Sequence, residues 1–466
     1  MSLGPSARSP RRPARIARSA PLILLFGVLG LGASAGCGDP AAPAVTPPAD
    51  ATPSSAAPPA VKTERYAAKG VATDRWTPEN IDQLVIQRPT REGRTPVPLP
   101  AAEPRYKNTA ERLEAFVGQW GREPGDPWSI GHAMLALGPG MKLTNDEPAV
   151  PWLMRTFAQE YRTGGRALLR FPKSVGKVRV EPHTALMLKM FAELGVDPDL
   201  QVTVQGAPHP MSDLYRGVLL GASLQAERDR SSFDSPNDMP WALQALSTWA
   251  PLRAPAEGGP PDLRWVAADG VEMSLRDFTV FNTSVLVAES QALFAMMETG
   301  APFEKKGQGV FKYTCGGAHL VQGVAYATAR GLNTPLGEKA LAAQVELAFW
   351  RLPKELALYD ALSKAHPEHV DLLLVQRLKF TGHFLETTHK MAALGLFTPT
   401  EAQKRLMVGA ADQVVLTVEA LHRRGVLDRM ATLRVENEQM ALDLIGDSAH
   451  AVRGLRLALG EGHIDY

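Results

Sequence analysis

Six times along the chain a His or Trp follows small or turn-forming residues and precedes a run with helical apolar spacing. The instances are Ile130-Gly131-His132-Ala133-Met134, Glu181-Pro182-His183-Thr184, Met239-Pro240-Trp241-Ala242, Gly317-Ala318-His319-Leu320, Thr381-Gly382-His383-Phe384 and Ser448-Ala449-His450-Ala451. They lie 51, 58, 78, 64 and 67 residues apart, room each time for two helices and their loops. A recurring unit of this size constrains the fold more than any other feature. One helical hairpin cannot bury its apolar face alone, whereas six packed together can.

The helical reading holds at the level of single segments. His183 to Leu194 places Leu186, Met187, Met190, Phe191 and Leu194 on one face, with Gly195 positioned to cap the end. Glu401 to Arg424 ends in His422-Arg423-Arg424-Gly425, putting cations where the helix dipole favours them. Val178-Arg179-Val180 and Gln201-Val202-Thr203-Val204 read as strands, too few to build a sheet. The expected fold is all-α: an (α/α)6 toroid of helical hairpins over residues 107–466. Residues 65–106 carry one apolar turn, Ile81 to Ile86, and read as an extended lead-in.

The N-terminus obeys different physics. Arg8, Arg11, Arg12, Arg15 and Arg18 form a basic start, Pro21 to Leu31 an apolar centre, and Ala33 to Cys37 a small-residue end. Basic, apolar and small in that order is the grammar of a secretory signal peptide over residues 1–36. The apolar centre is too short and Gly-rich for a comfortable membrane span, which needs about 20 residues. From Asp39 to Lys62, 7 Pro and 8 Ala occupy 15 of 24 positions, so residues 37–64 form an extended tether unable to bury a core.

Ser34-Ala35-Gly36-Cys37 resembles the lipobox of bacterial lipoproteins, although Ser34 stands where that family usually has Leu. The resemblance implies cleavage before Cys37, a diacylglycerol on its thiol, and an extracytoplasmic domain lipid-anchored to the cell-envelope membrane. Ala33-Ser34-Ala35 also suits ordinary signal peptidase, and an uncleaved anchor is the third reading. The repeat architecture is similar to that of α/α-toroid proteins: polysaccharide lyases and glycosidases, lanthionine cyclases and terpenoid cyclases. The chain has neither the QxxDGxW repeat of triterpene cyclases nor a complete lanthionine-cyclase Cys/Cys/His set, so the resemblance is one of architecture.

Composition narrows the partners. Lys+Arg 50 against Asp+Glu 49 gives a net charge of +1, and loss of the five N-terminal arginines leaves 45 basic residues, a charge of −4. No global field recruits nucleic acid. Two cysteines exclude a disulfide scaffold. The chain has no phosphate loop, no GxSxG and no HExxH. The expected partners are the membrane, through the lipid, and a glycan, peptide or protein ligand. The expected state is a monomer.

Candidate chemistry gathers on the repeats. Ser129, Asp238 and Asp447 each precede a repeat residue by three positions. As N-caps they would place His132, Trp241 and His450 in a first turn, where the helix dipole keeps imidazoles neutral. His132, His183, Trp241, Tyr313 and His450 are then expected to line a central pocket. Cys315 and His319, four apart, share a helical face, as do His383 and Glu386, three apart. Cys315, His319 and His383 would make a three-ligand zinc site with an open position. Cys315, His319 and Glu386 are the candidate catalytic residues, with Glu386 activating water or Cys315 acting as a thiolate nucleophile. The bland alternative is a buried, inert cysteine, and Glu386 paired with Lys390 at i+4. His389 falls on the wrong face, His366 and His369 read as a loop, His422 as a dipole partner and His463 as tail. Two functions stay open: an envelope enzyme acting on a polysaccharide or peptide, and a non-catalytic lipoprotein binding a glycan or protein.

Overall fold

A computed structural model of the protein describes residues 75–86, 96, 98–100, 103–225, 230–233, 235–252, 259–462 and 464. The signal segment 1–36, Cys37, the tether 37–64 and His463 lie outside the described residues. Helix dominates the rest: α1 (Pro104–Trp120), α2 (Pro127–Leu137), α3 (Ala149–Phe157), α4 (Leu186–Glu193), α5 (Ser212–Gly221), α6 (Met239–Trp249) and α7 (Leu275–Thr299). They are followed by α8 (Thr314–Ala329), α9 (Pro335–Ala365), α10 (Val370–Ala393), α11 (Glu401–Arg423), α12 (Met430–Glu436) and α13 (Glu438–Ala458). The protein is mostly helical, as expected for the all-α class.

The strands are short and local. Four hairpins join Gln159–Thr163 to Arg166–Arg170, Ser174–Val175 to Val178–Arg179, Gln201–Val204 to Ala207–Pro210 and Leu224–Gln225 to Arg230–Ser231. A three-stranded sheet pairs Arg75–Trp76 in parallel with Arg264–Val266, which pairs antiparallel with Glu272–Ser274. The lead-in is thus tied to the body by this pairing. Its buried Ile81 and Leu84, and the bond from Leu99 N–H to the Ala458 carbonyl at 2.8 Å, add to the hold.

Local sequence explains where helices begin and end. Asp126 caps α2, its carboxylate accepting the Ser129 N–H at 3.0 Å, and Pro127 follows at the first helical position. Thr400 and Gln403 form a reciprocal capping box at the start of α11. Gly195 stands at φ +68°, the left-handed stop expected after α4, and the Val196 N–H reaches back to the Phe191 carbonyl at 2.9 Å. The expected caps Ser129 and Asp447 are corrected. Ser129 receives the cap of Asp126, and Asp447 lies inside α13, whose cap is Asn437, its side chain accepting the Met440 N–H. Asp238 does hold the cap position of α6, but its carboxylate serves His183 instead.

The six helices that carry or follow the repeat residues pack in cyclic order. α2 lies on α4, α4 on α6, α6 on α8, α8 on α10, α10 on α13, and α13 on α2. The others back them: α5 on α6, α7 on α6 and α8, α9 on α8 and α10, α11 on α10 and α13, α1 on α13 and α2. Two glycines set how tightly the central helices approach. A Cβ at Gly382 would stand 3.0 Å from the Ala451 backbone, and one at Gly454 would stand 3.0 Å from the Gly382 carbonyl oxygen. α10 and α13 therefore touch backbone to backbone, which leaves little room at the centre.

Candidate metal centre

All six repeat residues meet at the centre as a chain of ring contacts. His183 stacks on Trp241 with centroids 5.4 Å apart and planes within 4°. Trp241 meets His319 at 4.0 Å, His319 meets His383 at 5.2 Å and His450 at 5.4 Å, and His383 meets His450 at 3.9 Å. His132 closes on His450 at 5.6 Å. None of the six is more than 2% exposed. His132, sixth in α2, and His450, midway along α13, do not sit in a first turn, so that placement is corrected for both; Trp241 is third in α6, and His383 also lies mid-helix.

Within this group His319, His383 and His450 each offer a ligand atom, all within 4.8 Å of one another. Cys315 is not a member of that group. It lies one turn earlier on α8, close enough to Asp447 to push that carboxyl's pKa up, and the third histidine, His450, takes the place expected of it. Tyr313 is half-buried at the N-cap of α8 with the Lys312 ammonium 4.7 Å from its ring. His389 is buried outside the cluster, its pKa brought down to about 4 by burial.

Charge at the centre is set by burial and by two carboxylates. Burial holds His132, His319 and His383 well below the usual histidine range, and neighbouring imidazoles push the same way, joined by Lys189 at His132 and His319 and by Lys379 at His383. The neutrality expected from a helix dipole is therefore present for another reason, desolvation. Burial pushes Glu386 up, but Lys390, His450 and Lys189 outweigh it and hold the carboxyl well below its ordinary range. Glu386 accepts from His450 Nδ1 at 2.6 Å and from Lys390 Nζ at 2.6 Å. It is an orienting carboxylate already engaged, not a base poised over a water.

Glu386 holds His450 through Nδ1 and leaves Nε2 without a partner, the arrangement by which carboxylates orient metal-binding histidines. Nε2 of His450 and both ring nitrogens of His319 and His383 have no hydrogen-bond partner among the described residues. Each buried polar atom left so costs about 1–3 kcal/mol. Imidazoles with unpartnered nitrogens are a donor set that suits zinc, whose Zn–N distances of about 2.0–2.1 Å call for the rings to draw slightly together.

Two layers flank the histidines. One turn back along the helices, Lys379 Nζ lies 3.4 Å from Asp443 and 3.8 Å from Asp447, beside Cys315. One turn forward, Glu193 faces Lys189 at 2.6 Å, Lys390, and Arg453 at 3.6 Å, with Gln244 donating to it at 3.1 Å. Lys379, Asp443, Lys189, Glu193, Gln244 and Arg453 escaped the sequence reading, whereas the pairing of Glu386 with Lys390 at i+4 was expected and is present. The signal was Leu186-Met187-Leu188-Lys189-Met190-Phe191-Ala192-Glu193, a Lys and Glu four apart in an otherwise apolar helix, which marks a buried ion pair.

No protein-family model, curated protein or solved structure matches this chain.

Proposed function

We propose that the chain is a cell-envelope lipoprotein, anchored through Cys37, whose helices form an (α/α)6 toroid around a zinc-dependent catalytic centre. Support for the toroid comes from the cyclic packing of α2, α4, α6, α8, α10 and α13 with the remaining hairpin helices behind them. The observation that carries the catalytic reading is the trio His319, His383 and His450 from three helices, with both ring nitrogens of His319 and His383 and Nε2 of His450 unpartnered among the described residues. These three would hold the ion, and a bound zinc would supply Lewis acidity for hydrolysis.

The protein's own groups divide the remaining work. Glu386 orients His450, and Lys390 holds Glu386 ionised. Burial pushes Asp447 well above the usual carboxyl range, which favours its protonated form one turn from His450, against the pull of Lys379. The sealed centre excludes bulk water. A polysaccharide or peptide would have to meet such a centre at its rim, so the geometry favours a small substrate.

The second reading is a non-catalytic lipoprotein that binds a glycan or protein on its outer surface. It is favoured by one observation: the stacked sequence His183, Trp241, His319 is also a way to pack a core. Metal analysis of the full chain in detergent separates the two. The expected result is about one zinc per chain, lost in His383→Ala and His450→Ala and kept in Cys315→Ala. A metal-empty protein would sink the catalytic reading. Loss with Cys315→Ala alone would return the site to the cysteine.

A further inference from the structure

Residues 161–180 carry Arg162, Arg166, Arg170, Lys173, Lys177 and Arg179 and no acidic residue. The run stands out in a chain whose charge is +1 overall and −4 without its first five arginines. It folds as two successive hairpins, Gln159–Thr163 with Arg166–Arg170 and Ser174–Val175 with Val178–Arg179. Gly176 stands at φ +60° in the two-residue turn of the second, the left-handed conformation such turns require at their first central position. Arg170, Lys173, Lys177 and Arg179 are exposed, and Val175, 40% exposed, sits among them beside that turn.

The acids at either end of the run are engaged elsewhere. Glu160 meets His209 Nε2 at 2.9 Å, and Glu181, 8% exposed, accepts the Met187 N–H at 3.0 Å. Arg170 lies over the Tyr161 ring at 5.3 Å, and neither it nor Lys177 nor Arg179 forms an ion pair among the described residues. A basic finger with an exposed aliphatic side chain suits a partner that sets negative charge over an apolar layer. An anionic polysaccharide would match the charge and offer Val175 nothing.

The lead-in points the same way. Arg166 donates to the Glu79 carbonyl at 3.0 Å and pairs with Asp82 at 3.3 Å, and a Cβ at Gly164 would stand 2.4 Å from the Pro78 carbonyl carbon. The chain from the N-terminus thus joins the body against the turn of the first hairpin. From there the strand Arg166–Arg170 runs about 14 Å to the basic group. An anchor on that chain would raise the effective concentration of bilayer at the hairpins, so a weak attraction suffices.

We infer that the hairpin 174–179, with Arg170 and Lys173 at its base, docks on anionic phospholipid headgroups, the four cations among the headgroups and Val175 at the acyl boundary. The attraction stands on the hairpin alone; that a bilayer is held close to it rests on the lipid-anchor reading.

The test reconstitutes the full chain into vesicles with a fluorophore on Val175→Cys. Cys315, 2% exposed, stays unlabelled, and wild type put through the same labelling supplies the blank. Neutral phosphatidylcholine vesicles are compared with vesicles holding about 30% phosphatidylglycerol, both carrying a nitroxide lipid that quenches a fluorophore at the acyl boundary. Quenching is expected in the anionic vesicles at roughly 0.1 M salt and is expected to fade at roughly 1 M. Each cation near such a surface is worth about fivefold, so Lys177→Gln with Arg179→Gln is expected to cut the ratio of docked to free hairpin about thirtyfold. Both side chains are exposed, so the double variant keeps the fold. Quenching that is equal in neutral vesicles, or unchanged by salt or by the double substitution, overturns the inference. A fluorophore that responds to dextran sulfate and not to anionic vesicles overturns it too, and assigns the hairpin to an anionic glycan. The mass of the Cys37 peptide from the same preparation keeps the two ideas apart. Quenching with an unmodified Cys37 removes the anchor and keeps the hairpin, and a lipidated Cys37 without quenching does the reverse.

Discussion

Two regions of this molecule use histidine in opposite ways. At the centre, His132, His319 and His383 are 1–2% exposed and held neutral by burial, with positive neighbours adding to the effect. On the hairpin between α4 and α5, His209 is 7% exposed yet its pKa is raised. Burial pushes His209 down as well, but Glu160 at 2.9 Å and Asp213 at 3.1 Å outweigh it. The two regions shift in opposite directions because deep desolvation dominates at the centre, whereas two carboxylates within hydrogen-bond reach outweigh a lighter desolvation at His209. The central carboxylates are occupied with lysines and arginine, which leaves most of the imidazoles as lone-pair donors.

Removing a central carboxylate is the strongest way to break this contrast. Glu193 faces Lys189, Lys390 and Arg453, and those charges hold its carboxyl far below the ordinary range despite its burial. Glu193→Ala would leave two lysines and an arginine without their shared counter-charge. A loss of about 3–5 kcal/mol is expected, the usual result of removing one partner from a buried ion pair. Urea unfolding measures it. A loss below about 1 kcal/mol would mean that the network is hydrated and that the centre is not sealed.

The sequence made the helical class and the convergence of the repeat residues legible because both follow from spacing. Apolar periodicity places a residue on a face, and six faces turned toward one axis bring His132, His183, Trp241, His319, His383 and His450 together. Spacing does not fix where along its helix a residue sits. Asp447 looked like a cap because three residues separate it from His450, whereas α13 begins nine residues earlier at Glu438. Axial offset decides which residues share a level, and so Cys315 falls beside Asp447 while His319 falls beside His450. The ion pairs of the forward layer needed a different clue, charged residues inside apolar helices, and that clue was present at Lys189 and Glu193.

Glu181, just before His183, sharpens the comparison from the acid side. Burial raises its pKa to about 8, and nearby Asp238 pushes the same way against the Met187 N–H, which donates to it at 3.0 Å. Its folded pKa lies above the unfolded value of 4.5, so the protonated acid is the form the fold accepts. The stability it allows is present below about pH 4.5 and is lost as the pH rises toward 8. Glu181→Gln keeps the shape and cannot ionise. The variant is expected to match wild type near pH 4.5 and to exceed it by about 4 kcal/mol at pH 8. Equal stability at both pH values would show that Glu181 ionises in place at no cost.

The subtlest test sets one histidine of each region against the other. His132 is bonded to the Trp128 carbonyl through Nδ1 at 2.8 Å and lies near His450, Lys189 and His183, none of which favours its charging. Below pH 6.5 the unfolded chain takes up a proton at this position and the folded chain does not. The contribution of His132 is therefore present above pH 6.5 and shrinks by about 1.4 kcal/mol for each unit of pH below it. His209 runs the other way. Its raised pKa means that its contribution is complete below pH 6.5 and fades as the pH climbs through the folded value. About 1 kcal/mol is at stake there, as for other partly buried ion pairs. Unfolding free energies of wild type, His132→Gln and His209→Gln from pH 5.5 to 8.5 give two difference curves. They should slope in opposite directions. Curves of the same sign would mean either that water reaches His132 or that Glu160 and Asp213 do not hold the charge on His209, and the contrast between the regions would fall.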